Sequence, residues 1–314
     1  MIRFLLKRFL SMILMLWIVA LVVFWVLFVL PGDPAQLILG IHATPEKLQA
    51  LRAELGLDRP FLVQFMDWIW SLITLKGSRS IGYDVPVLEL ILSRLAVTGP
   101  LALMAMVIAT VLAIPLGIYA ARHQNRPGDL AVMGFTQLGL ATPEFWFGIL
   151  LMLFFAVQAG WFSAGGFPGW KDDFWGSLKA LVLPAFALGA IRAAVLARLT
   201  RSSMLDVLRE DFVRTARAKG LKERTVIYTH ALRNALIPVV TIMGLQLGQL
   251  LAGAIIIENV YYLPGLGRLV FQAIGQRDLP VVREVVVLMA AMVIMVNFIV
   301  DVIYTFIDPR IKLE

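Results

Sequence analysis

The chain has 314 residues, 60% of them hydrophobic and only 16% charged, with a mean hydropathy of +0.84. Soluble domains carry about a quarter charged residues, so a water-soluble enzyme, a disordered chain and a nucleic-acid-binding domain are all excluded, and the net charge of +7, from 28 basic and 21 acidic residues, matters through its placement. No cysteine is present, which excludes disulfides, thiol catalysis and cysteine-ligated metals, and His42, His123 and His230 lie too far apart in sequence for metal-ligand spacing. Apolar runs longer than about 18 residues recur, the pattern of an all-α integral membrane protein.

The first run, Phe9 to Leu30, has 22 residues without a charge and follows Arg3, Lys7 and Arg8. It exceeds the apolar core of a signal peptide, and Leu30-Pro31-Gly32 offers no small-x-small cleavage site, so it reads as an uncleaved span. The segment 31–97 that follows is long for a connection between packed spans and is expected to fold on the outer face. Thr44 as cap, Pro45 in the first turn, apolar Leu48, Leu51 and Leu55, and Gly56 as terminator spell a short helix. Asp58 and Pro60 start a second, with Phe61, Phe65, Trp68, Ile69 and Leu72 near one face and Trp68 and Trp70 suited to the membrane interface. This segment either packs as a lid on the spans or contacts an external partner.

The second span is read at 98–121 and the third at 130–159. The third is longer than one straight crossing needs. Thr142-Pro143-Glu144 has the order of cap, first turn and early acid of a new helix, so a break is expected there. Glu144 then either lines a pathway or is satisfied locally by the helix start. The fourth span is read at 180–199, with Arg192 and Arg198 near its inner end, where snorkelling to headgroups suffices.

Segment 200–236 lies outside the hydrocarbon yet remains patterned as helix. Ser203 can cap it, Asp206, Glu210 and Asp211 occupy early turns, Arg217 and Lys219 the last, and Gly220 supplies a left-handed terminator. Phe212, Ala216 and Gly220, spaced by four, place an aromatic and two small residues on one side, suited either to a partner or to a solvated helix at the headgroups.

The fifth span, 237–257, follows Pro238, which permits a kink, and carries Gly244, Gly248 and Ala252 at the spacing that lets helix backbones approach closely. Gln246 and Gln249 lie on another face and either hydrogen-bond a neighbouring span or line an aqueous path. On the sixth span, 281–307, Asn297 and Asp301 face the same way, as an interhelical hydrogen-bonded pair or as members of a proton relay.

Charge placement orients these six transmembrane helices. The amino terminus has three basic residues and no acid, 122–129 has two and one, and 200–236 has eight and four; segments 31–97, 160–179 and 258–280 have six and seven, two and two, and two and two. The basic excess falls on alternate segments, placing both termini, 122–129 and 200–236 in the cytoplasm.

Arg214-Thr215-Ala216-Arg217-Ala218-Lys219-Gly220-Leu221, followed by His230-Ala231-Leu232-Arg233-Asn234-Ala235-Leu236-Ile237-Pro238, resembles the cytoplasmic coupling loop of ABC importer permeases, in the version used by peptide and nickel uptake systems. In the broader superfamily the loop opens Glu-Ala-Ala, and Arg214 and Thr215 here replace its first two positions. Pro31-Gly32-Asp33-Pro34, Phe145-Trp146-Phe147-Gly148, Glu258-Asn259-Val260-Tyr261 with Pro264-Gly265-Leu266-Gly267-Arg268, and Asp308-Pro309-Arg310-Ile311 are similar to the same subfamily, so the resemblance spans the chain. It departs at Lys76-Gly77-Ser78-Arg79-Ser80, where the family often has an acidic Gly-Asp-Leu-Gly stretch. The short amino-terminal tail resembles that of the first of the two permease subunits.

The resemblance implies a type I ABC importer permease fold in a single transmembrane domain, 1–314, of the bacterial inner membrane. It implies half of a heterodimeric pathway for dipeptides or oligopeptides, with nickel chelates and glutathione as alternatives within the family. The implied partners are a second homologous permease subunit, two cytoplasmic ABC ATPase subunits that bind ATP and Mg, and an external solute-binding protein. A helix near 205–220 would sit in a groove of an ATPase. Phe212 would fill that groove, Arg214 and Thr215 belong to the same motif, Ala216 would permit close approach, Arg217 and Lys219 would pair with acids on the partner, and Gly220 would set the return angle. Translocation-pathway candidates are Glu144, Gln246, Gln249, Asn297 and Asp301; no catalytic or metal-binding residue and no cofactor of this chain is expected. The chain carries no Gly-x4-Gly-Lys-Ser/Thr phosphate loop, so energy comes from a partner or an ion gradient. From the residues alone, an ion-coupled transporter or channel remains the rival class, while no Ser-His-Asp, His-Glu-x-x-His or Gly-x-Ser-x-Gly pattern supports a membrane-bound hydrolase.

Overall fold

The computed structural model describes residues 2–29, 34–39, 43–54, 56–74 and 77–307. The sequence features at Leu30 to Asp33, His42, Leu55, Lys76 and Asp308 to Ile311 lie outside them. Thirteen α-helices account for nearly all of the described residues: α1 (Ile2–Val29), α2 (Pro34–Leu39), α3 (Pro45–Glu54), α4 (Phe61–Ile73), α5 (Val87–Arg122), α6 (Pro127–Ala141), α7 (Glu144–Leu151), α8 (Phe174–Val207), α9 (Asp211–Ala218), α10 (Glu223–Thr225), α11 (Leu232–Val260), α12 (Leu266–Gly275) and α13 (Leu279–Ile307). π-helical turns at Met152–Gln158 and Val226–Ala231 extend α7 and join α10 to α11.

Five helices are long and apolar enough to cross a membrane by themselves, and α6 with α7 makes a sixth crossing bent by 104°. Its course is fixed at both ends. Asp129 at the start of α6 pairs with Arg201 near the end of α8, while the amide of Gly166, just beyond the π-helical turn, donates to the Tyr261 carbonyl after α11. The break falls at Thr142-Pro143, as the sequence leads one to expect. Thr142, however, closes α6 by donating its hydroxyl to the Leu138 carbonyl (2.7 Å) and caps nothing in α7. Pro143 occupies the position before α7, where its missing N–H costs no helical bond.

The core is built on α5 and α8, which run parallel: Gly189 abuts Ala105, and Gly117 abuts Ala197 and Thr200. Parallel neighbours need a return crossing between them, and the broken span supplies it. A Cβ at Gly189 would stand 2.6 Å from the Ala105 carbonyl oxygen, so glycine is what allows this approach. Leu101, Ala105, Leu181, Ala185, Leu188, Leu250 and Ala254 fill the centre. α11 and α13 are antiparallel, with Gly244 against Val300 and Gly248 against Val293, which realises the small-residue stripe except at exposed Ala252. α1 lies antiparallel on α13, joined by Arg8 to Asp301 at one end (3.4 Å) and by Arg283 over the Phe24 ring at the other (5.4 Å).

On the outer segment, α3 begins at Thr44, whose hydroxyl accepts from the Lys47 amide (3.4 Å), and Gly56 follows with φ +68°. α4 turns Phe65 and Trp68 onto Ala20 and Phe24 of α1, burying the face read from the sequence and leaving Trp70 exposed. The loop after it docks on the start of α13. Ser80 donates to buried Asp278 (2.5 Å), the Gly82 amide donates to the same carboxylate (3.0 Å), and the Ser78 amide donates to Glu284 (2.8 Å).

Candidate coupling and translocation sites

The coupling segment departs from the sequence reading in where its helix starts. Ser203 is buried inside α8, which runs on to Val207. The chain turns through Leu208 to Glu210, whose extended backbone (ψ 147°) stands before a new helix, α9. Gly220 has φ +76°, the left-handed conformation expected of the terminator, and a Cβ there would meet nothing within 4 Å. The loop is thus shaped by backbone conformation at that residue and not by a tight contact.

α9 is held by Val213 and Ala216, which pack on Ile118, Ala121, Met204, Val226, Ile227 and Ala231. This corrects the expected role of Ala216: its small side chain points into its own chain and serves that packing, since a helix this short is kept in place by the face it buries. Phe212 (44% exposed), Arg214, Thr215, Lys219 and Gly220 are left on the outside. Arg214 reaches Asp211 (3.5 Å), and the Thr215 hydroxyl donates to the Asp211 carbonyl (2.9 Å). Arg217 is engaged within the chain. Its guanidinium forms a two-pronged pair with Glu223 (2.9 and 3.2 Å) that clips α9 to the start of the next crossing, and that carboxylate holds the guanidinium's pKa above its ordinary value. Phe212 and Lys219 thus stand exposed on the face of α9 that its own chain does not cover.

The same end of the bundle carries a pair that sequence reading missed. Asp129 is fully buried and accepts two bonds from Arg201 (both 2.6 Å) and one from the Asn125 amide (2.9 Å), tying the connection between α5 and α6 to the end of α8 from which α9 hangs. Its signal in the sequence was an acid placed in the first turn after Pro127.

At the break of the third span, Glu144 meets Arg192 of α8 (2.5 Å), and Arg192 donates to the Gln249 side chain of α11 (2.8 Å). Arg192 is therefore not a snorkelling residue; exposed Arg198 is the one placed to do so. A Cβ at Gly253 would lie 2.5 Å from Glu144 Oε2, so this glycine leaves space for the carboxylate. The other pathway candidates are placed differently. Gln246 is buried, its Oε1 has no hydrogen-bond partner, and it does not line an open path. Asp301 pairs with Arg8 and so belongs to the contact of α1 with α13, with half-buried Asn297 one turn away. Asp301 is thus engaged with α1, whereas the partner of Glu144 lies on α8.

Glu258, noted in the sequence only as part of the resemblance and given no role there, is fully buried. It accepts from the Thr98 hydroxyl (2.6 Å) and the Gly267 and Arg268 amides (2.8 and 3.2 Å), capping α12. Gly265 and Gly267 admit this carboxylate and the Ile255 backbone, respectively. Tyr261 donates to the Gly148 carbonyl (2.7 Å), linking the end of α11 to α7. An acid at the end of an apolar run, followed by closely spaced glycines, was the available signal. Among the described residues no cluster of His, Cys, Asp or Glu could hold a metal.

Six crossings, a broken third and a short amphipathic helix presented beyond the fourth define the transmembrane subunit of an ABC importer. Two solved structures share the fold: an amino acid ABC transporter (TM-score 0.51, 15% identity, covering 69% of this chain and 94% of that one) and the inward-facing MetNI methionine ABC transporter (TM-score 0.57, 20% identity, covering 70% and 97%). The chain belongs to the family described as the binding-protein-dependent transport system inner membrane component, whose model matches residues 113–313, with its N-terminal companion model matching 1–101. It is 42% identical over 309 residues to a putative peptide transport system permease protein of Brucella abortus, covering 98% of each chain. It is 39% identical over 332 residues to a dipeptide transport system permease protein of Alkalihalophilus pseudofirmus (99% of this chain, 100% of the relative), and 43% over 312 residues to a glutathione transport system permease protein of Salmonella typhimurium (99% of each). The chain is a multi-span permease component of an ABC importer, a transport subunit of the bacterial inner membrane.

Proposed function

We propose that this permease forms one half of a heterodimeric pathway for dipeptides or oligopeptides, powered by two ATPase subunits that bind ATP and Mg in the cytoplasm and supplied by an external solute-binding protein. The observation that carries the coupling role is α9 itself, anchored by Val213 and Ala216 and presenting Phe212, Arg214 and Lys219 outward. In this reading Phe212 enters a groove of the ATPase, Lys219 and Arg214 meet its acids, and Arg217 with Glu223 stiffens the lever. The carboxyl end of α8, α9 and the amino terminus lie in the cytoplasm, because the excess of basic residues sits on those segments, and an even number of crossings returns the carboxyl terminus to the same side. Peptide as solute is supported by relatives named for peptide and dipeptide transport; a relative of equal likeness named for glutathione transport supports a tripeptide of that kind as the second reading.

The chain contains no cysteine, so a Phe212→Cys variant offers a single thiol. In the assembled complex it is expected to crosslink to a cysteine introduced in the ATPase subunit, with a yield that changes between nucleotide-free and ATP-bound states. An exposed control such as Trp175→Cys, on the opposite end of α8, should give no ATPase crosslink. Equal labelling by a soluble maleimide in the presence and absence of the ATPases would refute the docking of α9.

A further inference from the structure

Glu144 and Arg192 form an ion pair in the interior of the bundle, yet their side chains remain 21% and 17% exposed. Charges at such depth do not face hydrocarbon; they face protein or water. The neighbouring surface of α11 agrees. Leu245, Gln249, Ala252 and Ile256 make a stripe along one face that nothing in the chain covers, and Gln249 in its middle holds Arg192 at 2.8 Å. Phe145, Trp146 and Ile149 of α7 are likewise exposed. Gln249 is met by Nη1 of Arg192 and Glu144 by Nη2, and each of these nitrogens carries two N–H donors, so the guanidinium keeps capacity for a further acceptor.

The geometry points to the Glu144, Arg192 and Gln249 cluster as a station for a zwitterionic solute in transit, with Arg192 taking its carboxylate and Glu144 its ammonium group. This rests on the peptide-importer reading above. The physical reason is exchange. A solute bearing one charge of each sign can replace each member of the internal pair for the other, so every buried charge keeps an opposite partner during passage, and the cost of an unpaired charge in a low dielectric is avoided. Gln249, neutral and exposed, steers the guanidinium toward the open face without competing as a counter-ion. A lone acid or base at this position would instead trap a solute of opposite charge.

The test uses the complete complex, with partner permease, ATPases and binding protein, in proteoliposomes. Uptake of trialanine is compared with that of trialanine amide, which lacks the carboxylate. The binding protein is the same throughout, so only changes of the free-to-amide ratio between variants are read. In Glu144→Gln with Arg192→Gln, the pair is removed and the ratio is expected to fall about tenfold, the scale of one charge-assisted contact. In Glu144→Arg with Arg192→Glu the order of the charges is reversed, and where the complex is recovered assembled, trialanine uptake is expected to fall by a similar factor. Gln249→Ala, at an exposed position that does not endanger folding, should lower the ratio about threefold. Wild-type uptake by the reversed pair, or an unchanged free-to-amide ratio in Gln249→Ala and in whichever pair variant assembles, would overturn the inference and leave the importer reading standing. Absence of ATP-dependent uptake of either peptide by the wild-type complex would instead remove the peptide reading, and the inference with it.

Discussion

Replacing Gly220 with valine tests the coupling loop most directly, since a Cβ there meets nothing and its effect must come from backbone conformation. At φ +76° glycine is unstrained, whereas an L-residue in the left-handed region costs roughly 1–2 kcal/mol, with β-branched valine at or above the upper end and asparagine at the lower. No steric penalty is added, because a Cβ would meet nothing within 4 Å. The cost is therefore too small to unfold six packed crossings and large enough to depopulate the loop geometry. At about 2 kcal/mol the native arrangement of α9 against the next crossing loses about a factor of 30 relative to alternatives. The solute transported per ATP hydrolysed, measured in proteoliposomes, should decline in the order Gly, Asn, Ala, Val, with the amount of inserted and assembled complex unchanged. Coupled uptake by Gly220→Val equal to wild type, or equal losses in all three variants, would refute the argument, since backbone strain must rank them.

Other outcomes follow from the buried polar contacts. Asp129→Ala leaves Arg201 without its counter-ion, and breaking a buried pair costs about 3 kcal/mol at the low end, appropriate because the arginine is partly exposed; thermal unfolding in detergent should drop by several degrees, and Asp129→Ala with Arg201→Ala together should recover most of it. Gly267→Ala drives a Cβ into the backbone at Ile255, so size-exclusion profiles should show misassembled or unstable protein, while alanine at exposed Gly275, where nothing lies within 4 Å of a Cβ, should behave as wild type. Tyr261→Phe removes a 2.7 Å bond, but the Gly148 carbonyl also accepts from the Met152 amide, so the loss is expected to be only about 1 kcal/mol, a shift of a few degrees in unfolding temperature.

Much of this molecule was legible in local pattern. Hydropathy marked the crossings, because burial in lipid leaves a run of about 20 apolar residues whatever its neighbours are. Proline and glycine marked the break at Thr142-Pro143 and the turn at Gly220, because backbone conformation is a property of the residue itself. The glycines at 244 and 248 announced a close helix contact by their spacing alone. Their partner, α13, could not be read from that spacing. What tertiary structure alone decided is which charge meets which. Glu144 finds Arg192, Arg8 finds Asp301, Asp129 finds Arg201, and Glu258 finds the start of α12. Each pairing depends on the register and rotation of packed helices, and those are set by side-chain interlock across segments far apart in sequence. For the same reason Ala216 faces its own core while Phe212, one turn earlier, is left for a partner. Periodicity gives a helix two faces, and only the neighbouring helices determine which of them is covered.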